Sequence, residues 1–450
     1  MRFFICKDPA KFIKHDYEQF GDWYFYHDDY VRVWQGPDYV VLFAGYLIEG
    51  DVSEACQSWS FKLGNGNFFA IKLTLSDYEI VLDYFQQHKI FVAHKYGTEI
   101  TNWLPLMTIH ATDVVRKNLG EGRELNLNQG VTFYDHVRTY VPDYYDYLYD
   151  ARQSLQEERW TDLDELADYI HACMTQHSMV IKSLYKKRFI SLSEGIDSVL
   201  QSQYFYGDPQ YMYNVIPCRA GDDGVTYKAQ TAINFPDVTF DQYDTDSGIP
   251  DVFEYLHDSS CRVVDAMPTI KKITQTKPDI VLYGVNGDEM FFKSLDAHLC
   301  LLLLTQGDVT ESDIKLKRGH YGASYSLGNS LTSSDYITKW FESKPDFESA
   351  SGNLIEHMTP KTYNKHIACN CDVITTSLYN DRRIYHEVFK TSQSHLCGDV
   401  MDVPIQRKLL LKNNYTEFKT PFKDAVLASW EGMRYVIPEA TLSRDTAQNL

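Results

Sequence analysis

Short apolar and aromatic runs, each broken by polar turns, fill roughly the first 135 residues: Trp23-Tyr-Phe-Tyr26, Val31-Arg-Val-Trp34, Tyr39-Val-Val-Leu-Phe43, Phe68-Phe-Ala-Ile-Lys-Leu73, Tyr78-Glu-Ile-Val-Leu82 and Ile90-Phe-Val-Ala93. Runs of this length with period-two patterning predict strands. So many of them bury their apolar faces most simply as two packed sheets.

The pattern changes after residue 160. Leu163, Leu166, Ala167, Ile170 and Met174 recur at helical spacing, with Asp162 and Asp164 in an acidic first turn, so residues 161–184 predict a helix with Thr161 as its N-cap. Strands are expected at 188–192, 211–218 and 280–283, and a helix at 403–412. Strands alternating with helices indicate a parallel sheet, with ligands at the carboxyl ends of its strands. The boundary falls between 140 and 160, giving an N-terminal unit over 1–150 and a C-terminal α/β unit over 151–450.

Composition narrows the function. A length of 450 residues suits two to three domains, and 44% hydrophobic with 23% charged residues is ordinary globular composition. A formal charge of −19 with a pI near 5.2 disfavours contact with a nucleic-acid backbone, which depends on Lys and Arg. The longest apolar run, Leu299-Cys-Leu-Leu-Leu-Leu304, is too short to span a bilayer, and no secretory core is evident near Met1. A cytoplasmic protein without membrane attachment is expected. Nine cysteines lack a Cys-x-x-Cys pair and read as buried thiols; Cys369-Asn-Cys371 beside His366 is too tightly spaced for a zinc knuckle. The tyrosines of residues 140–149 are interleaved with Asp rather than Arg or Lys, which favours packing between domains over base stacking. The Gly/Ser/Thr-rich stretch within 307–352 reads equally as a lid or as an inert connection.

The chemistry concentrates at Arg188-Phe-Ile-Ser-Leu-Ser-Glu-Gly-Ile-Asp-Ser198: a strand, a small-residue loop and a helix start. Such a loop aims consecutive N–H groups and the positive end of a helix at one point, which suits a pyrophosphate or triphosphate tail. Ser193 and Ser198 add hydroxyls, and Asp197 offers a hard oxygen for Mg²⁺. The same residues also fit a strand-to-helix turn with an Asp-Ser cap and no ligand.

Ser193-Glu194-Gly195-Ile196-Asp197-Ser198 resembles the Ser-Gly-Gly-x-Asp-Ser loop of the ATP-pyrophosphatase superfamily. Downstream, Tyr283-Gly-Val-Asn-Gly-Asp-Glu-Met-Phe291 is similar to the Ser-Gly-x-Gly-x-Asp-Glu-Leu-Phe segment of asparagine synthetase relatives. Weaker likenesses follow at Leu378-Tyr-Asn-Asp-Arg-Arg-Ile384 and at Lys419-Thr-Pro-Phe422. The resemblance implies a C-terminal parallel-sheet ATP-pyrophosphatase domain, of the adenine nucleotide α-hydrolase-like type. It also implies ATP and Mg²⁺, with Asp197 and Asp288 as metal ligands and Leu192, Ser193, Gly195, Ile196, Asp197, Ser198, Ile216, Tyr283 and Gly284 around the nucleotide. Asp381 and Arg382 would line the substrate pocket or form a structural ion pair. Lys419, with Lys423 as competitor, would stabilise charge as an adduct expels AMP. Glu194 departs from the pattern: it points outward, helps hold metal, or weakens nucleotide binding.

Ala44-Gly45-Tyr46-Leu47-Ile48 and Gly64-Asn-Gly-Asn-Phe-Phe-Ala70 resemble, in order and spacing, the glutaminase domain of asparagine synthetases. The family's nucleophile is an N-terminal Cys, where this sequence reads Met1-Arg2, and its Asn-Gly oxyanion pair is matched by Ala44-Gly45. The expectation is a degenerate α+β glutaminase-like (Ntn-hydrolase) domain, as in β-lactam synthetases and lasso-peptide cyclases. Val285 cannot move a proton where relatives place Glu or Tyr, which argues against ammonia as the nucleophile. The expected activity is therefore AMP-forming ligation of a small-molecule or peptide carboxylate to an amine other than glutamine-derived ammonia. An asparagine synthetase using free ammonia and a nucleotide-binding scaffold without catalysis are the alternatives. A homodimer is left open.

Overall fold

The computed structural model describes residues 2–12, 15–61, 64–110, 134–140, 160–192, 196–205, 212–218, 239–244, 273, 275–284, 287–291, 373–391, 404–415, 417–418 and 434–435. For 212–218, 239–244, 288–289, 389, 417–418 and 434–435 it describes the backbone alone.

The N-terminal stretch forms two antiparallel sheets. One has six strands in the order β10-β8-β9-β1-β3-β2, made of β1 (Phe3–Cys6), β2 (Glu18–Phe20), β3 (Trp23–His27), β8 (Phe91–Ala93), β9 (Glu99–Thr101) and β10 (Val137–Thr139). The other has four, β4 (Arg32–Gln35), β5 (Val40–Leu47), β6 (Gly66–Leu73) and β7 (Tyr78–Leu82), in sequence order. Alternation sets their faces. Phe3, Ile5, Trp23 and Phe25 of one sheet meet Leu42, Ala44, Phe69 and Ile71 of the other in a shared core, with the Phe3 and Phe69 rings 5.0 Å apart. The opposite face of β5 and β6 (Val41, Phe43, Phe68, Ala70) is covered by helix α1 (Val52–Ser58) through Ala55 and Cys56.

The C-terminal stretch is mixed α/β. Its sheet has five parallel strands in the order β13-β12-β11-β14-β15: β11 (Arg188–Ser191), β12 (Met212–Cys218), β13 (Thr239–Asp244), β14 (Ile280–Leu282) and β15 (Ile374–Thr376). A short parallel pair, β16 (Glu417–Phe418) with β17 (Arg434–Tyr435), stands apart from it. Asp279 ties the amino ends of β11 and β14 together, its Oδ2 accepting from the N–H groups of Lys186 (3.0 Å) and Lys187 (2.9 Å).

Helix α2 (Leu163–Leu184) leads into β11 and buries Leu166, Ala167, Ile170, Cys173, Met174, His177, Ser178 and Ile181 along one face. Its N-cap is Asp162 rather than the expected Thr161: the carboxylate reaches the N–H groups of both Asp164 (2.7 Å) and Glu165 (3.4 Å). The other helices are α3 (Ile196–Gln203), the single turn α4 (Gly287–Met290), α5 (Arg382–Phe389) and α6 (Pro404–Lys412). None of the described helices is long and apolar enough to cross a membrane. Of the other expectations, the Leu299–Leu304 run, the 307–352 loop, Cys369 and Cys371 lie outside the described residues, as does the tyrosine cluster beyond Tyr140.

The sandwich and the parallel sheet share one continuous hydrophobic core, from Phe3 and Leu42 through Tyr84 and Tyr385 to Ile190 and Leu282. A buried polar seam also joins them. Tyr46 Oη lies 2.8 Å from His177 Nε2 and 3.2 Å from Thr376 Oγ1; Asn67 Nδ2 donates to the Thr375 carbonyl at 2.7 Å; Asn65 Nδ2 donates to Asp381 at 2.9 Å. Gln87 Oε1 accepts from Thr376 Oγ1 (3.0 Å) and Asn380 Nδ2 (2.7 Å).

Candidate nucleotide site

The strand order β13-β12-β11-β14-β15 runs one way from β11 through β12 to β13 and the other way through β14 to β15, so it reverses between β11 and β14. Open parallel sheets leave a ligand crevice at the carboxyl ends of the strands at such a reversal. The registers Ile190↔Leu282 and Phe189↔Val281 show the two strands ending side by side there. The loops that leave them are the two stretches singled out from sequence.

These loops meet closely. Gly284 packs on the start of α3: an added Cβ there would lie 2.5 Å from the Ser198 amide nitrogen and 2.6 Å from its Cα. At Gly287 a Cβ would lie 2.5 Å from Asp197 Cγ. At Gly284 the contacts under 3 Å are to backbone and leave no room for any side chain, so glycine there is what lets the turn after β14 touch the helix start after β11; at Gly287 they are to the Asp197 side chain, which a Cβ would displace. Gly287 in turn brings the backbone of Asp288 beside Asp197.

Asp197 is held at both ends. Its backbone carbonyl accepts from Tyr379 Oη at 2.8 Å, and its Oδ1 accepts from the Gln406 amide of α6. Tyr379 is fully buried and stacks edge-on against Phe291, rings 5.8 Å apart and perpendicular. Gln201, one turn after Asp197, accepts from the Leu378 N–H (2.9 Å) and Ser377 Oγ (3.3 Å) through its Oε1. The loop after β15 is thereby fastened to α3.

Of the residues expected around the nucleotide, Leu192, Ile196, Ser198 and Tyr283 are buried and Asp197 is half-buried at this junction. Ile216 lies on β12, three residues past Tyr213, whose partner Ser191 ends β11. Ser193, Glu194, Gly195 and Val285 lie outside the described residues, as do Lys419 and Lys423 and the side chain of Asp288. Asp381 and Arg382 come elsewhere, to the polar seam. Asp381, fully buried, caps α5 and forms its ion pair with Arg383 rather than Arg382, at 2.6 Å, while also accepting from Asn65. Burial alone would lower the Arg383 pKa, but the Asp381 hydrogen bonds and charge outweigh it and the net shift is upward. The Arg382 N–H donates to Asn65 Oδ1 at 2.9 Å, its Nε faces His386 Nε2 at 3.3 Å, and its guanidinium lies over the Tyr84 ring.

Sequence reasoning did not single out Gln406 and Tyr379, because both belong to the site only through tertiary placement, 209 and 182 residues from Asp197. Neither family models nor curated protein sequences match the chain.

In the N-terminal sandwich, Cys6 is buried, and burial pushes its thiol pKa up to about 11, with Sγ 3.2 Å from the Asp8 carbonyl. A thiol held neutral is a poor nucleophile. Ala44 faces the shared core, and the Gly45 carbonyl accepts from Arg32 Nη2 at 3.0 Å.

Proposed function

We propose that the chain is an ATP-dependent, AMP-forming amide ligase, built from an ATP-pyrophosphatase domain behind a glutaminase-like domain that has lost its own chemistry. The observation that carries this reading is the contact of Gly284 and Gly287 with Asp197 and Ser198 at the reversal point of the sheet. It brings together two segments read separately as a phosphate loop and an acidic turn.

The residues present fit Mg²⁺ and a nucleotide. Asp197, with Asp288 one residue past the Gly287 contact, would supply hard oxygen ligands, and the α3 N-terminus with Ser198 would face the leaving phosphates. A bound Mg²⁺ would neutralise charge on the departing pyrophosphate. A carboxylate oxygen of the substrate attacks the α-phosphorus of ATP and the bond to pyrophosphate breaks. The nitrogen nucleophile then attacks the acyl carbon, loses a proton, and AMP departs. Lys419 is assigned to the second step. The buried, neutral Cys6 and the absence of a side-chain donor at Ala44 support a nitrogen source other than glutamine.

The test is to incubate the purified chain with ATP, Mg²⁺ and pooled carboxylates and amines, and to identify the nucleotide products. AMP with pyrophosphate is expected, and ADP with phosphate would overturn the reading. Asparagine formed from aspartate and ammonia would move the assignment to the asparagine synthetase reaction; nucleotide bound but never turned over would mean a scaffold. Lys419→Met is expected to leave ATP affinity within a few-fold of wild type and to slow amide formation by about 10² to 10³. An active Lys419→Met beside a dead Lys423→Met would transfer the role to Lys423.

A further inference from the structure

We infer that Gln406 is a positioning residue for the Asp197 carboxylate, holding one oxygen so that the other is presented to a divalent cation. The inference rests on the nucleotide-site reading above. Gln406 is 0% exposed on α6, and its Nε2 donates to Asp197 Oδ1. The carboxylate decides which way the amide faces, since the reverse orientation would set two sets of lone pairs against each other. Its Oε1 is buried and has no hydrogen-bond partner among the described residues. A buried acceptor of this kind, next to a carboxylate that ligates metal, is completed by a donor arriving with the ligand; water bound to the cation is such a donor.

The choice of an amide has a physical reason. A Lys or Arg at 406 would pair with Asp197 as an ion and compete with the cation for its charge. A neutral donor fixes the orientation of the carboxylate and leaves its charge for the metal. The amide is itself rigidly carried: Ile405, Leu409 and Leu410 are buried beside it. On the outer side of α6, Lys408 and Lys412 reach Asp164 and Asp168 of α2, each at 2.5 Å. With Tyr379 on the backbone carbonyl, Asp197 is gripped from two separate elements.

Mn²⁺ in the presence of ATP, followed by electron paramagnetic resonance on the full-length protein, is the probe. Gln406→Met keeps length and approximate volume but removes the donor; it is expected to weaken Mn²⁺ binding about tenfold while ATP affinity measured in EDTA stays within twofold. Gln406→Asn, polar but too short to reach, is expected to show the same split should the Met variant fold poorly. Gln406→Lys is expected to weaken Mn²⁺ further. Adding Gln406→Met to Asp197→Asn is expected to change nothing more, because the group being positioned is already altered. Wild-type Mn²⁺ affinity in the Met and Asn variants, or effects that simply add in the double variant, would overturn the role of Gln406 and leave the nucleotide reading standing. A wild-type protein that takes up no Mn²⁺ with ATP would overturn both.

Discussion

His177 is fully buried on α2, and its Nε2 meets the Tyr46 hydroxyl. Tyr46 also reaches Thr376, whose own hydroxyl donates to Gln87. With one proton per hydroxyl, the chain closes when His177 Nε2 donates to Tyr46, Tyr46 to Thr376 and Thr376 to Gln87. Burial, with Arg383 adding to it and Asp381 opposing, lowers the His177 pKa from 6.5 to about 4. Burial also drives the Tyr46 pKa well above its ordinary value, so both groups are neutral at physiological pH. Because the unfolded chain binds this proton more readily, the contribution of His177 is fully present above pH 6.5 and is lost as pH falls toward 4. The window corresponds to at most ~3 kcal/mol. His177→Gln can still donate to Tyr46 but does not titrate; its melting temperature should fall less steeply than wild type over that range. Parallel melting curves for the two proteins would sink this account.

Among elements, the legible ones were those with strong periodicity. The runs leading to β3 to β8, the stripe of α2, and the loop-to-helix start at Asp197 could be read because alternation, helical spacing and small-residue loops leave local signals. Of the N-terminal strands, β1, β2, β9 and β10 could not. Phe3-Phe-Ile-Cys6 is buried throughout and shows no alternation, while β9 starts with Glu99, a carboxylate 1% exposed that pairs with Lys11 and accepts from Thr108 Oγ1 at 2.6 Å. A buried, satisfied carboxylate looks like a loop residue until its partners are placed. For the site, both motifs were readable and the resemblance implied that Asp197 and Asp288 lie opposite each other; the packing that makes the contact, Gly284 against the Ser198 backbone, was not, since it depends on strand order. Gly284→Ala tests that contact. The methyl group would run into the backbone of Ser198, so the turn after β14 must move off α3; a loss of about 1–3 kcal/mol and abolished ATP binding are expected. An alanine variant that binds ATP normally by calorimetry would show the two elements to be independent.

At the scale of the whole molecule, the two halves are joined by hydrogen-bonded polar groups as well as by apolar surface. Separating them would strand Asp381, Thr376, Asn380 and His177 on one side and Asn65, Asn67, Tyr46 and Gln87 on the other. Residues 151–450 expressed alone are expected to be largely insoluble or to melt well below the intact chain; an equally stable soluble fragment would count against the seam as a structural requirement. The seam also links residues that are far apart in sequence: Asn67 waits for Thr375, 308 positions later, and Tyr46 for Thr376, 330 later. At ribosomal speeds of about 5–20 residues per second, that interval is roughly 15–60 s. During synthesis the four-stranded sheet can therefore complete its antiparallel pairing while the polar positions on its inner strands β5 and β6 that will meet β15 are still bathed in water. A wholly apolar patch exposed for that long would invite other nascent chains. One lined with amides and a phenol stays hydrated until the last strand of the parallel sheet leaves the ribosome and displaces the water.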